Sequence, residues 1–406
     1  MLNNVVGSVA RGEDFYDREE LVDALWGRLG AGNVLLAAPR RFGKTSLMYR
    51  LIDFPRHGWH PIHVDAESIR EPANFVIALV DALMGDRRIR EFLVARWKRL
   101  GKWVRDILTS LEITTPYDVG VKIALKEKIG PHWEERGAAL LRTLRDYDKD
   151  QRLLLIIDEL PVMLRLFEDS DVSDADTRAF LYWFRKLRTD PKVGLTNCRF
   201  LVGGSIGIEH TLSRLRVADS FNDFERLAVG ELAPERAPEF LRLLLKSRKV
   251  ALSAAAQREM LRLVGAPIPY FIQVFVSEVA MAAATGAARI GPKRLREIYA
   301  DRVLGATCKT YFQHYYDRLR AYERPLEHGA KAMLKALAIA YPEPVPRANL
   351  RHLLREALGR SAGDDDLIGL LGDLENDFYI RCQSDGEGYA FASKILCDWW
   401  RRYCAF

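Results

Sequence analysis

Apolar positions in the first half of the chain switch repeatedly between two periods. Residues 13–29 open with an acidic turn and then place Leu21, Leu25 and Leu29 at i, i+4 and i+8 with Val22 and Trp26 alongside, which predicts an amphipathic helix after the turn. An aliphatic run, Val34 to Leu36, comes next, then a basic turn, then helical spacing over 44–52. A second buried strand is predicted over 61–67, and a helix from Pro72 with Phe75, Ala78, Leu79, Ala82 and Leu83 on one face. Strand, helix, strand, helix in this order predicts an α/β fold with a parallel sheet. The unbroken apolar run 153–157 reads as a strand buried on both faces. A helix over 177–187, a strand over 199–202 and a short strand over 227–232 bring the sheet to five strands.

Residues 86–150 interrupt this alternation. Their basic first part has helical period, Val119, Val121, Ile123 and Leu125 alternate with polar or small residues as in a β-ribbon, and 132–148 reads as a helix. From Ala233 the pattern is helical throughout, broken at GAPIPYFIQ (265–273) by a turn holding two prolines. The last 80 or so residues read as helices over 328–340, 348–358 and 365–375, then YIRC, an SDGEG turn and YAFAS, the order of a winged helix. The expected division is an α/β core over 1–232 with an insertion at about 86–150, helical lid and connecting helices over 233–324, and a winged helix over 325–406.

Composition narrows the classes. A chain of 406 residues exceeds one core, and 49% hydrophobic with 29% charged residues is ordinary for globular proteins. No run approaches the ~18 apolar residues of a membrane span, no signal-peptide pattern opens the chain, and a cytoplasmic location with no membrane partner is expected. Five scattered cysteines without a CxxC form neither a disulfide framework nor a zinc site. The net charge of +6 is unevenly spread: from Asp86 to Asp106 eight Lys/Arg face three acids, whereas from Pro325 onward ten face twelve. Any DNA footprint is therefore expected on residues 87–105, where Trp97 and Trp103 sit among the charges.

The chemistry is concentrated at 38–46. Ala38 to Thr45 match GxxxxGK[ST] at every fixed position but the first, between a predicted strand and a predicted helix. Backbone N–H groups of Pro39-Arg40-Arg41-Phe42-Gly43 and the following helix start would cradle phosphates, excepting the proline, which has none; Lys44 would reach the β/γ-phosphates and Thr45, beside Ser46, would hold Mg²⁺. Asp158 and Glu159 end the buried strand where ligands bind in open α/β sheets, the first placed to orient the water shell of Mg²⁺ and the second to polarise an attacking water. The same acidic pair also suits a helix cap. Ser205, in a glycine turn at the next strand tip, is placed to contact a γ-phosphate or the water; Arg18 either lies beside an adenine or is a helix-start charge.

With DFYDRE, PRRFGKTSL, LLLIIDELP, FLVGGSIG, GAPIPYFIQ and the terminal KILCDWW in this order, the chain resembles the AAA+ ATPases of the archaeal-type ATPase family, relatives of the origin-binding and signal-transduction ATPases. The resemblance implies a P-loop NTPase fold with lid and winged helix, and ATP and Mg²⁺ as cofactors. It further implies Lys44 and Thr45 on phosphate and metal, Asp158 on Mg²⁺, Glu159 as hydrolytic carboxylate, Ser205 as first sensor and Pro269 near the nucleotide. Ala38 departs from the family's glycine, and the arginine that acts in trans has no firm match. Arg214, Arg216 and Arg226 are the candidates, Arg226 the one chosen, and such a finger would require a homo-oligomer.

Three functions compete: an ATP-driven switch whose winged helix serves a protein partner, a DNA-binding ATPase of the replication or transposition kind, and a nucleotide-holding scaffold with little turnover. Asp364, Asp365, Asp366, Asp373, Glu375 and Asp377 on and around the third helix oppose a phosphate backbone and favour the protein partner.

Overall fold

The computed structural model describes residues 2–404 apart from 97–101, 103, 104, 106–128, 146, 148–150, 171, 191–196, 205–207, 287–289, 323, 360–362, 384 and 385. The expected β-ribbon at 112–128 and the tryptophans Trp97 and Trp103 lie outside the described residues. The chain divides into two compact units, a core unit of Arg18–Ala38 and Lys44–Val229 and a C-terminal unit of Met1–Asp17, Pro39–Gly43 and Gly230–Phe406. Among the described residues no helix is long and apolar enough to cross a membrane.

In the core unit, β1 (Asn33–Ala37), β2 (Trp59–Asp65), β3 (Arg152–Asp158), β4 (Cys198–Gly204) and β5 (Phe224–Ala228) form one parallel sheet in the order β2-β3-β4-β1-β5. Six of the seven residues of β3 are buried, as an unalternating aliphatic strand requires. Helices α1 (Glu19–Ala31), α2 (Lys44–Asp53), α3 (Pro72–Gly85), α4 (Arg87–Ala95), α5 (Trp133–Thr143), α6 (Leu160–Asp169), α7 (Asp174–Thr189) and α8 (Ile208–Arg214) accompany it. An aromatic cluster joins α3 to α7: Phe75 meets Phe180, Trp183 and Phe184 edge-on with centroids 5.2, 6.3 and 6.0 Å away. Such pairs add about 0.5–1.5 kcal/mol each beyond area burial.

The first helix begins at Glu19, after the acidic turn, where Tyr16 packs on Phe240 (5.0 Å) and bonds Glu239 (3.2 Å) within the C-terminal unit. Two expected strands shift. The second covers Trp59–Asp65 and not 61–67. The last strand covers Phe224–Ala228 and not 227–232. It is an edge strand with Glu225 and Arg226 exposed, so hydrophobicity alone underestimates its start; Phe224 stacks on Phe221 at 4.8 Å and pairs with Asn33.

The C-terminal unit contains α9 (Ala237–Ser247), α10 (Ala254–Val264), α11 (Pro269–Ala284) and α12 (Pro292–Ile298), then a π-helical stretch Tyr299–Thr307 leading into α13 (Cys308–Arg318). Helices α14 (Arg324–Ala340), α15 (Arg347–Leu358) and α16 (Asp364–Asn376) follow, with β6 (Val345–Pro346), β7 (Ile380–Cys382) and β8 (Gly388–Phe391) in an antiparallel sheet ordered β6-β8-β7. This arrangement is compatible with a winged helix. The terminal α17 (Lys394–Tyr403) buries Trp399 and Trp400, and its Arg401 donates to the carbonyls of Ala338 and Tyr341 at the end of α14.

Candidate functional site

In the core unit the two halves of the predicted chemistry meet at the carboxyl end of the sheet. Lys44 opens α2 directly after the phosphate-loop turn, and Asp158 ends β3. The strand between β1 and β3 is β4, so a contact from Lys44 or Thr45 to the end of β3 must pass over its tip. It does: Thr45 Oγ1 donates to Asp158 Oδ2 at 2.7 Å, and Lys44 Nζ lies 3.0 Å from Glu159 Oε1. Gly203 on β4 keeps this path open. A Cβ there would lie 2.3 Å from Met48 Cε and 2.6 Å from Asp158 Oδ1, closer than atoms pack.

Glu159 is the N-cap residue of α6, yet its side chain makes no cap hydrogen bond and turns to Lys44. Its backbone is left-handed, φ 56°, and its own N–H bonds Asp158 Oδ1 at 2.9 Å. A non-glycine residue held there costs of order 1 kcal/mol or more, and such strain concentrates at functional sites. Lys44 is 4% exposed and Asp158 4%. An ammonium so buried is stable only with an anionic partner, which here is Glu159.

The turn before Lys44 has the backbone of an anion-binding nest. Arg41 has φ 73° and Gly43 φ 88°, while Phe42 between them lies at negative φ and Lys44 is helical. Alternation of this kind points successive N–H groups to one side, as anion-binding nests do. Only glycine takes such angles freely, so Arg41 is the strained member. In the C-terminal unit, to which residues 39–43 belong, Arg41 donates to the Gly7 carbonyl at 3.1 Å and its guanidinium lies 5.0 Å from the Tyr270 ring centre. The Tyr311 hydroxyl donates to the Arg40 carbonyl at 2.9 Å, and Phe42 meets the Phe378 ring edge-on at 4.8 Å. Burial raises the Tyr311 hydroxyl well above its ordinary pKa, which keeps it a donor.

The donor set suits a nucleotide with Mg²⁺. A threonine hydroxyl and a carboxylate oxygen within hydrogen-bond distance of each other are the hard oxygen ligands that Mg²⁺ would take beside phosphate and water.

The remaining predicted residues are placed as follows. Pro39 is buried, Arg40 exposed and Ser46 half-buried on α2. Ala38 is buried in the position where the motif has glycine, and its N–H donates to the Gly204 carbonyl at 3.3 Å. Pro269 opens α11, one residue before the Tyr270 that lies against Arg41. Arg18 is buried ahead of α1. Ser205 lies outside the described residues. Arg226 sits in mid-strand on the exposed edge strand β5, opposite Leu35, and its carbonyl accepts from Arg28 at 2.6 Å. Arg214 is engaged with Glu168 and Asp174. Gly203, Tyr270, Tyr311 and Phe378 were invisible to spacing arguments; of these only Gly203, doubled with Gly204 at a strand end, carried a hint of close approach.

Sheet order, phosphate-loop geometry and the carboxylates at the end of β3 define the fold as that of a P-loop ATPase of the AAA+ type. Among solved structures the chain is similar to the Walker-type ATPase PABY2304 of Pyrococcus abyssi, with a TM-score of 0.65 at 18% identity over 98% of this chain and 99% of that one. It also matches the ORC2 protein of Aeropyrum pernix, in ADPNP–ADP complexes, at 14% identity over 96% of this chain and 94% of that one, TM-score 0.49. No family model and no curated protein matches the chain.

Proposed function

We propose that the protein binds and hydrolyses ATP as a molecular switch, and that its nucleotide state moves the C-terminal winged-helix module toward a protein partner. The observation that carries this is the pair of contacts Lys44–Glu159 and Thr45–Asp158, which join the phosphate-loop helix to the catalytic-type carboxylates across an intervening strand. In this reading Lys44 leaves Glu159 for the β/γ-phosphates, and the released carboxylate polarises the attacking water. Thr45 and Asp158 hold Mg²⁺, directly or through water, and Mg²⁺ when bound offsets the charge developing on the phosphates. Ser205 and Arg226 complete the set as sensor and trans-acting arginine, Arg18, Pro39–Gly43, Ser46 and Pro269 border the nucleotide, and the working division is core 1–232, lid 233–324 and winged helix 325–406.

Charge on the winged-helix module favours a protein partner over DNA. Asp364 at the start of α16 lies 3.3 Å from Arg351 and 3.8 Å from Arg355 of α15, so two of the three arginines of α15 are partly neutralised within the module. The test is steady-state ATP turnover by the wild type and by Glu159→Gln, with and without duplex DNA at low and physiological salt. Turnover by the wild type, a fall of on the order of a hundredfold in the variant and no response to DNA are expected. Stimulation by DNA at physiological salt would move the function to the DNA-binding ATPases, and tight binding without turnover would leave a scaffold.

A further inference from the structure

The strained turn Arg40–Phe42 is held by groups that play no part in phosphate chemistry. Tyr311, Tyr315 and Arg318 stand on successive turns of α13. The first donates its hydroxyl to the Arg40 carbonyl at 2.9 Å. The second offers its carbonyl to the Tyr379 hydroxyl at 2.6 Å, and the third lies 3.4 Å from Asp377. Between Asp377 and Tyr379 is Phe378, itself left-handed at φ 61°, whose ring meets the buried Phe42. One helix thus grips both the phosphate-loop turn and the turn that follows α16, and the two turns touch through an aromatic pair. All of these residues belong to the C-terminal unit.

We infer that α13 and the 377–379 turn form a clamp that holds residues 40–42 in their anion-binding conformation, with Phe378 and Tyr311 as positioning residues for the nucleotide. This rests on the nucleotide site proposed above and adds what sets its affinity. The sign follows from the backbone: the clamped turn already alternates positive, negative and positive φ at 41, 42 and 43, so the clamp stabilises the binding conformation against the cost of a left-handed arginine. By thermodynamic reciprocity, nucleotide at the loop tightens the clamp in turn, which gives the switch a physical connection to the C-terminal module. It also accounts for the tolerance of Arg41 where glycine would relax without help.

Full-length protein carrying Phe378→Ala or Tyr311→Phe would be titrated with a fluorescent ADP analogue and Mg²⁺, with thermal melts to establish folding. Kd is expected to rise roughly threefold to tenfold, the range of one aromatic pair for Phe378→Ala and of one hydrogen bond for Tyr311→Phe. In nucleotide-free protein, hydrogen exchange at the amides of 40–43 is expected to accelerate. Arg41→Gly added to Phe378→Ala is expected to bring Kd back to about the wild-type value, because glycine adopts the left-handed angle unaided; general damage to the fold would not be rescued in this way. Folded variants with unchanged affinity and unchanged exchange, or with tighter binding, would overturn the clamp. If the wild type bound no nucleotide the proposed function would fall, and the exchange measurement would still decide whether the clamp exists.

Discussion

Among the described residues of the core unit, two nearly buried pairs of a permanently basic side chain with a carboxylate differ in what surrounds them. Arg188 and Asp223 join through both carboxylate oxygens, at 2.8 and 2.9 Å, with Asn33 donating to the same carboxylate at 2.9 Å and the Ser220 carbonyl accepting from Arg188 at 2.7 Å. Phe184, Phe221 and Phe224 stack around the guanidinium at 4.3, 5.3 and 4.5 Å. This pair joins α7 to the start of β5, far along the strands from their carboxyl ends. Lys44 and Glu159 meet through one oxygen, on a strained residue, at the carboxyl end of the sheet. Forked, stacked and multiply bonded geometry belongs to a pair that stays together. In the proposed function, the point-charge lysine on a left-handed glutamate is the pair that comes apart when phosphate arrives. Charge pairing alone does not distinguish structure from function; the number and geometry of the remaining bonds do.

The contrast breaks most sharply at Asp223. Asp223→Ala leaves a buried guanidinium without its partner and is expected to lower stability by about 3 kcal/mol, read in denaturant melts, while nucleotide affinity of the folded fraction is unchanged. The pH dependence follows the same pair. Burial would raise the Asp223 carboxyl, but the hydrogen bonds and charge of Arg188, with the Asn33 amide, outweigh it and hold the pKa below the ordinary value. A depressed folded-state pKa means the contribution is fully present above about pH 4, the unfolded carboxyl value, and is lost as pH falls through the folded one. Acid melts should therefore steepen below about pH 4 in the wild type and flatten in Asp223→Asn.

A smaller effect is expected at Gly203, where Ala would press on Met48 and on the Asp158 carboxylate. The overpacking should cost about 1–3 kcal/mol. Unlike Asp223→Ala, it should also weaken Mg²⁺-dependent nucleotide binding, because it presses on Oδ1 of the Asp158 carboxylate, whose other oxygen Thr45 meets. A Gly203→Ala protein that loses stability and keeps its full Mg²⁺ response would mean that Asp158 is not a metal-side residue.

How much of this was legible in the chain follows the physics of each part. Period and composition carried the sheet, because a strand buried on both faces must be aliphatic and an amphipathic helix must repeat its apolar face; β3 and α7 are examples. Lys44 and Thr45 stood out because the phosphate-binding motif fixes residue types directly after Gly43, and Asp158 and Glu159 because an acidic pair ends an unbroken aliphatic strand; the fold brings the four into contact. The edge strand β5 was misplaced because exposure on one side dilutes its hydrophobic signal. The clamp was not legible at all: Arg40 and Tyr311 are 271 residues apart, and aromatic packing imposes no spacing rule.

Whether Lys44 binds nucleotide is decided by equilibrium binding of ATP to the wild type and to Lys44→Ala, each with and without Mg²⁺. The wild type is expected to bind ATP more tightly with Mg²⁺, and the variant, still folded by its thermal melt, to lose affinity by about a hundredfold or more. Equal affinity in the two proteins, or no binding by the wild type, would contradict the assignment of Lys44, Thr45, Asp158 and Glu159 to a nucleotide site.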